Sequence, residues 1–230
     1  MSGKLYVVST PIGNLQDITL RAIEVLRTVD RILCEDTRRA KILTTAYKID
    51  RPLVAYFQGN EQKQAERHVQ DMAEGGLNIA LISEAGTPNI SDPGYRLVRA
   101  AVDAGVEVVT VPGACAVVAA ISISGLPTDA FVFEGFLPVK RGARVKKMST
   151  WKTEPRTVVF YESPHRILSM LKDLKDTFGN IQIVAAREMT KKFEEVIRLS
   201  VDEMIARFEE RAPLGEFVVM LNIREQHEER

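Results

Sequence analysis

Cysteine is scarce in this chain of 230 residues: only Cys34 and Cys115 are present, both in apolar contexts. That disfavours a disulfide framework and predicts two buried, reduced thiols. His68, His165 and His227 stand at no zinc-like spacing from one another or from the cysteines, so no metal site is expected. Net charge is also missing, because 31 basic side chains balance 31 acidic ones. This argues against a general polyanion coat and leaves nucleic-acid contact to local patches. No apolar run is long enough to cross a bilayer; the longest, Ala114 to Leu126, is broken by Ser122, Ser124 and Gly125 and predicts a buried helix. The N-terminus carries no long apolar signal segment, so the expected location is the cytoplasm, away from membranes. Internal repeats are absent. So are G-x-G-x-x-G, a P-loop, a G-x-S-x-G elbow and a Ser-His-Asp pattern, which disfavours nicotinamide dehydrogenases and serine hydrolases.

What the chain does have is turn chemistry in one unusual place. Between the apolar run Asn78 to Ile82 and a helical segment from Tyr95 to Ala104 lies S-E-A-G-T-P-N-I-S-D-P-G, two proline-containing turns in a single crossover. Gly86 allows positive φ or close approach to a ligand, and Pro88 and Pro93 stiffen the loop. Asp92 is expected to cap the following helix. Two further strand-end loops carry Gly or Pro, Thr10-Pro11-Ile12-Gly13 and Pro112-Gly113-Ala114. In a parallel sheet all three can open on one edge and line one nucleoside-sized pocket.

Strand patterns at 4–9, 31–34, 53–57, 78–82 and 106–111 alternate with helical ones, the first of which Asp17 would cap. They predict an α/β domain over 1–125 with a mostly parallel sheet. The turn Gly125-Leu126-Pro127-Thr128-Asp129 is the chosen boundary. Beyond it, over 126–230, strands at 131–136, 157–161, 182–186, 196–199 and 216–223 outnumber the helices at 163–177 and 201–211, so a mixed sheet is expected.

Charged constellations cluster at strand ends. Glu35-Asp36-Thr37-Arg38-Arg39 can hold a polar substrate or simply cap a helix. In Tyr161-Glu162-Ser163-Pro164-His165-Arg166, Ser163 would cap a helix beginning at Pro164, aim free N–H groups at an anion and leave Arg166 as a phosphate fork. Lys140, Arg141, Arg144, Lys146, Lys147, Lys152 and Arg156, with Trp151 among them, form a basic stretch able to follow a nucleic-acid backbone or to serve as a solvated face. Arg187 to Glu195 carries both signs, as a polar wall or a surface loop.

Eight motifs occur in order: V-S-T-P-I-G-N-L, C-E-D-T-R, S-E-A-G-T-P, V-P-G-A-C-A, G-L-P-T-D, F-Y-E-S-P-H-R, A-R-E-M-T-K-K-F-E-E and G-E-F-V. Together they closely resemble the ribosomal small-subunit RNA 2′-O-methyltransferase I family of the tetrapyrrole methylase superfamily. The resemblance implies a two-domain tetrapyrrole methylase-like fold, in a homodimer, with S-adenosylmethionine in the cleft between domains. It implies methyl transfer to the ribose 2′-hydroxyl of a cytidine in the decoding region of small-subunit ribosomal RNA, as part of ribosome biogenesis. By that resemblance Pro11, Ala85, Gly86, Thr87, Ile90, Ala114, Cys115, Ala116, Leu214 and Gly215 contact the cofactor. Asp36, Glu162 and Glu188 are the candidate general bases, and Arg38, Arg166 and Lys191 would hold phosphates. Glu84 stands where the family commonly has Asp, and Asn89 where an apolar residue is usual. Many members carry a helical C-terminal extension, whereas this chain stops soon after its last strand. The alternatives are a porphyrinoid-type small-molecule methyltransferase of the same superfamily and a non-catalytic RNA- or nucleotide-binding module.

Overall fold

A computed structural model describes residues 2–224, in two compact units, Met1–Cys115 and Ala116–Arg230. The division lies upstream of the Gly125–Asp129 turn, because the helix Ala116–Ser122 packs with strands of the second unit.

In the first unit, strands β1 (Lys4–Val8), β2 (Arg31–Cys34), β3 (Leu53–Ala55), β4 (Ile79–Leu81) and β5 (Glu107–Val111) alternate with helices. The helices are α1 (Leu20–Thr28), α2 (Thr37–Ala46), α3 (Glu61–Ala73) and α4 (Tyr95–Asp103). The sheet order is β3-β2-β4-β1-β5 and every pair is parallel. Parallel neighbours need crossovers, and the helices supply them on both faces. Successive residues of β2 therefore serve different cores: Ile32 and Cys34 join Ala22, Leu26 and Leu43 on one face, while Leu33 joins Met72, Leu81 and Leu97 on the other. Two caps differ from the sequence reading. Thr19, whose Oγ1 accepts from Ala22 N–H at 3.1 Å, caps α1, and Asp17 lies in a preceding 3-10 turn. Gly94 precedes α4 at φ 139°, with its N–H donated to Glu61 Oε1 at 2.8 Å; Asp92 does not cap that helix.

The second unit holds α5 (Ala116–Ser122), β6 (Phe131–Phe136), α6 (Arg141–Ser149), β7 (Thr157–Glu162), α7 (Ile167–Phe178), β8 (Gln182–Arg187), β9 (Glu195–Ser200), α8 (Val201–Glu210) and β10 (Phe217–Leu221). Its sheet runs β6-β7-β10-β8-β9, parallel only between β6 and β7, so it is mixed as expected. All five residues of the central strand β10 are buried. Helix α5 is shorter than the apolar run that encodes it and leaves Val118 exposed. It ends where Ser124 Oγ donates to Ile121 O and the Arg198 guanidinium donates to the carbonyls of Ile123 and Ser124. Among the described residues no helix is long and apolar enough to cross a membrane.

Candidate functional site

The parallel sheet of the first unit brings its carboxyl-end loops to one edge, and hydrogen bonds tie three of them together. Thr10 N–H donates to Gly86 O at 2.8 Å and Gly86 N–H donates back to Thr10 O at 3.1 Å, forming an isolated bridge between the loops after β1 and β4. Thr87 Oγ1 donates to Ala114 O at 3.1 Å and lies 2.9 Å from Ser9 Oγ, which adds the loop after β5. Gly86 adopts φ 88°, and a Cβ there would meet Ile12 Cγ2 at 3.2 Å. The backbone thus favours glycine, and the space beside it is tight. Pro11 is buried in the first loop, Ala85 and Ile90 are exposed in the second, and Cys115 is a half-buried free thiol rather than a buried one. Ala116 opens α5 in the second unit.

Beside these loops the ends of β1, β2 and β4 and the start of α2 line an open cavity of about 350 Å³. Pro11, Leu15 and Ile42 give it apolar walls, and Glu35, Glu84 and Arg39 give it polar ones. Arg39 Nη1 pairs with Glu84 Oε2 at 2.5 Å, whereas the Glu35 carboxylate has no hydrogen-bond partner among the described residues. Burial, with the Glu84 charge adding to it, pushes the Glu35 carboxyl above its ordinary range against the pull of Arg39. Burial and the Glu35 charge push Asp92 up to about 6, while a hydrogen bond with Ser83 works the other way. The sequence reading missed Glu35, Glu84 and Asp92 as a group. Their motifs were visible, but only the adjacency of β2 and β4 brings them together.

Asp36 is the N-cap of α2: its carboxylate accepts from Arg38 N–H at 2.8 Å and from the Arg38 guanidinium at 2.8 and 3.2 Å. Those Arg38 hydrogen bonds hold it down at about 2. Arg38 itself is 90 % exposed.

In the second unit, Glu162 is 1 % exposed at the end of β7, with Oε1 accepting from Ser163 N–H at 2.8 Å and Oε2 unpartnered. Burial raises its proton affinity, against the Ser163 N–H and the charges of Arg166 and Arg144. The helix after it starts at Ile167, not Pro164. Ser163 O instead accepts from the N–H groups of Arg166 and Ile167 at 3.1 and 3.0 Å, so Ser163 does not cap α7. The Arg166 guanidinium donates to Leu137 O at 2.7 Å and lies 3.4 Å from Glu162, tying the segment to the chain after β6.

Glu188 sits at φ 49° in the turn after β8. Its Oε1 accepts from Lys191 Nζ at 2.9 Å and from Glu216 N–H at 3.1 Å. Burial acts to raise its pKa, but these hydrogen bonds and the Lys191 and Arg187 charges outweigh it and lower the carboxyl. Gly215, at φ 88°, has no room for a side chain, because a Cβ would lie 2.4 Å from Glu188 Cγ. Arg187 Nε donates to Leu214 O at 2.5 Å. The Leu214–Gly215 turn is therefore moulded by the charged motif that follows β8.

The basic stretch is helix α6 and the turn after it, and most of its charges are paired. Arg144 is buried against Asp173 at 2.5 Å, Arg141 bridges Asp173 and Asp176, Lys147 meets Glu134 and Arg156 meets Glu154. Trp151 is 2 % exposed, stacked on Phe160, and donates Nε1–H to Glu134 at 3.0 Å. It presents no face to a nucleobase.

Residues 4–205 match the family model described as Tetrapyrrole (Corrin/Porphyrin) Methylases. A protein of Thermotoga maritima named ribosomal RNA small subunit methyltransferase I is 45 % identical over 97 % of this chain and 100 % of its own length. The protein of the same name from Escherichia coli O157:H7 is 46 % identical over 99 % of this chain and 80 % of its own. Among solved structures, a diphthine synthase superposes with a TM-score of 0.77 at 14 % identity, covering 98 % of this chain and 96 % of that one. A uroporphyrin-III C-methyl transferase from Thermus thermophilus, complexed with S-adenyl homocysteine, gives 0.66 at 18 % identity, covering 97 % and 99 %. At such identities these structures speak to the fold alone. Fold, motif order and close relatives agree that the chain belongs to the tetrapyrrole methylase family and, within it, to the ribosomal RNA small subunit methyltransferase I group.

Proposed function

We propose that this chain is an S-adenosylmethionine-dependent methyltransferase of small-subunit ribosomal RNA, acting on the ribose 2′-hydroxyl of a cytidine in the decoding region. The observation that carries the reading is the three-loop edge of the first unit, in a chain 45 % identical to a relative, matched over its whole length, that is named a ribosomal RNA small subunit methyltransferase. Gly86 and Thr87 form a cradle for a nucleoside-type ligand, with a glycine at the point where a Cβ would crowd Ile12. Pro11, Ala85, Gly86, Thr87, Ile90, Ala114 and Cys115 would hold the cofactor in this unit; Ala116, Leu214 and Gly215 are the further contacts that the family resemblance implies. When bound, S-adenosylmethionine supplies a methyl group already activated by its sulfonium.

The remaining work of the protein is to align the ribose oxygen and to help remove its proton. Asp36, Glu162 and Glu188 are the acids proposed to assist. Glu162 has the raised proton affinity a base requires, while Asp36 and Glu188 are held low by their partners. Arg38, Arg166 and Lys191 would steady RNA phosphates, with Arg38 the most exposed of the three. A homodimer in the cytoplasm completes the reading; for the dimer, support comes from Phe136 and Val139, which lie exposed on and just after the edge strand β6.

The test is methyl transfer from labelled cofactor to isolated small subunits, naked ribosomal RNA and a porphyrinogen mixture. Incorporation into RNA at one cytidine ribose is the expected result. Incorporation into the porphyrinogen, or none with cofactor bound, would replace the reading with one of its alternatives. Single-turnover rates of Asp36→Asn, Glu162→Gln and Glu188→Gln at saturating RNA test the acids, and three unchanged rates would remove them from the chemistry.

A further inference from the structure

We infer that the cavity between the ends of β1, β2 and β4 receives the target base, extruded from the RNA, and that Glu35 reads an exocyclic amino group on its Watson–Crick edge. The inference rests on the RNA-methyltransferase reading above and goes beyond it by assigning a base-recognition site. At about 350 Å³ the cavity lies within the size range of small-ligand sites, about 300–1,000 Å³.

Its lining selects the occupant. Glu35, Asp36 and Glu84 face it with only Arg39 in opposition, and Arg39 is already paired with Glu84. Such a rim repels phosphate, so the group that enters must be neutral and must donate hydrogen bonds. Pro11, Leu15 and Ile42 provide apolar surface for the faces of a flat ring. Sequence-specific RNA readers treat unpaired bases in this way, packing the ring and hydrogen-bonding its edge. A carboxyl suits the amino group of cytosine or adenine and faces only an acceptor at the corresponding position of uracil.

Glu35 is the acid available for this contact. Asp36 is occupied by Arg38 and Glu84 by Arg39, while the Glu35 carboxylate has no hydrogen-bond partner among the described residues. Its place in the fold is fixed from both sides, by Cys34 in the buried end of β2 and by the Asp36 cap of α2. Pro11 and Thr10 close the cavity on the side of the three-loop edge, so the base would lie next to the glycine-built cradle within one unit.

The test uses the full chain with small-subunit RNA. Ile42→Trp fills the cavity from a side chain that is 65 % exposed, so folding should survive. It is expected to lower RNA affinity, measured without cofactor, and kcat/KM for RNA by roughly tenfold or more, with cofactor affinity unchanged. Glu35→Gln is expected to narrow the preference for the native target nucleotide over a uridine placed at the same position by roughly tenfold, because an amide can donate to the uracil carbonyl. A purely structural role for Glu35 would not move that ratio. If wild-type enzyme methylates the RNA and both variants keep affinity, kcat/KM and base preference within about twofold, the base-site inference is overturned and the methyltransferase reading stands. If wild-type enzyme methylates no ribosomal RNA, both fall.

Discussion

In the second unit the charged residues of the most conspicuous motifs are already engaged with one another: Arg144 with Asp173, Glu162 with Arg166, and Glu188 with both Lys191 and the Glu216 backbone. In the first unit the strand-end carboxyls of β2 and β4 surround an open cavity, and Glu35 is left with acceptor capacity. The contrast teaches that density of charge in a sequence is a poor guide to ligand contact. A buried charge must be paired, and pairing consumes its hydrogen-bonding capacity. An acid at the rim of a parallel sheet is solvated on one side and can keep its own.

If the second unit uses its charges as framework, breaking a buried pair there should have the largest effect on stability. Arg144→Met leaves the Asp173 carboxylate buried beside only Arg141 and is expected to cost about 3 kcal/mol in urea denaturation. Loss below about 1 kcal/mol would mean that the pair is incidental.

Gly215→Ala sharpens the same point on a turn. Positive φ and the Glu188 contact together should cost about 2 kcal/mol. Part of that loss should return in a Glu188→Ala background, because the added methyl then has room; simple additivity in the double-mutant cycle would refute the coupling.

The first unit should respond to pH instead. Folded Asp92 keeps its proton up to about pH 6, whereas the unfolded chain releases it near 3.8. Between those values the folded state binds more protons, so this group's contribution to stability falls as pH rises. Asp92→Asn should therefore raise Tm at pH 8 and leave it unchanged at pH 3, with a gain under about 1 kcal/mol because the carboxyl is partly solvated. An equal shift at both pH values would deny the raised carboxyl.

The smallest effect is expected where the sequence is most basic. Lys146→Gln and Lys152→Gln should each change RNA affinity by less than about twofold at physiological salt, since their neighbours on α6 are neutralised by carboxylates. A steep loss of salt dependence would restore the patch as an RNA track.

Where local pattern coincides with burial, the elements were readable in advance. Arg31–Cys34 and Phe131–Phe136 were both expected as strands and both form them. Helix α6 was missed because its buried face is Arg144 and Met148, which gives no apolar periodicity to detect. The start of α7 was misplaced because Ser163-Pro164 has the chemistry of a cap and first turn, yet the chain makes one more turn so that Arg166 can reach Leu137 O. Asp92 was misread for a similar reason. A cap-forming residue beside a helix start is a strong local signal, but Glu61, far along the chain, takes the Gly94 N–H.

Sequence alone determined the α/β class, the parallel and mixed sheets and the family, because alternating strand and helix patterns and eight ordered motifs are properties of the chain read in one dimension. Tertiary structure alone decided which charges remain available. Strand order places β2 beside β4 although α2, β3 and α3 separate them in sequence, and so gathers Glu35 and Glu84 around one cavity, with Asp92 near enough to feel both charges. The same folding puts Trp151 against Phe160 and Arg144 against Asp173. Electrostatic pairing and stacking depend on distance in space, which spacing along a chain does not encode.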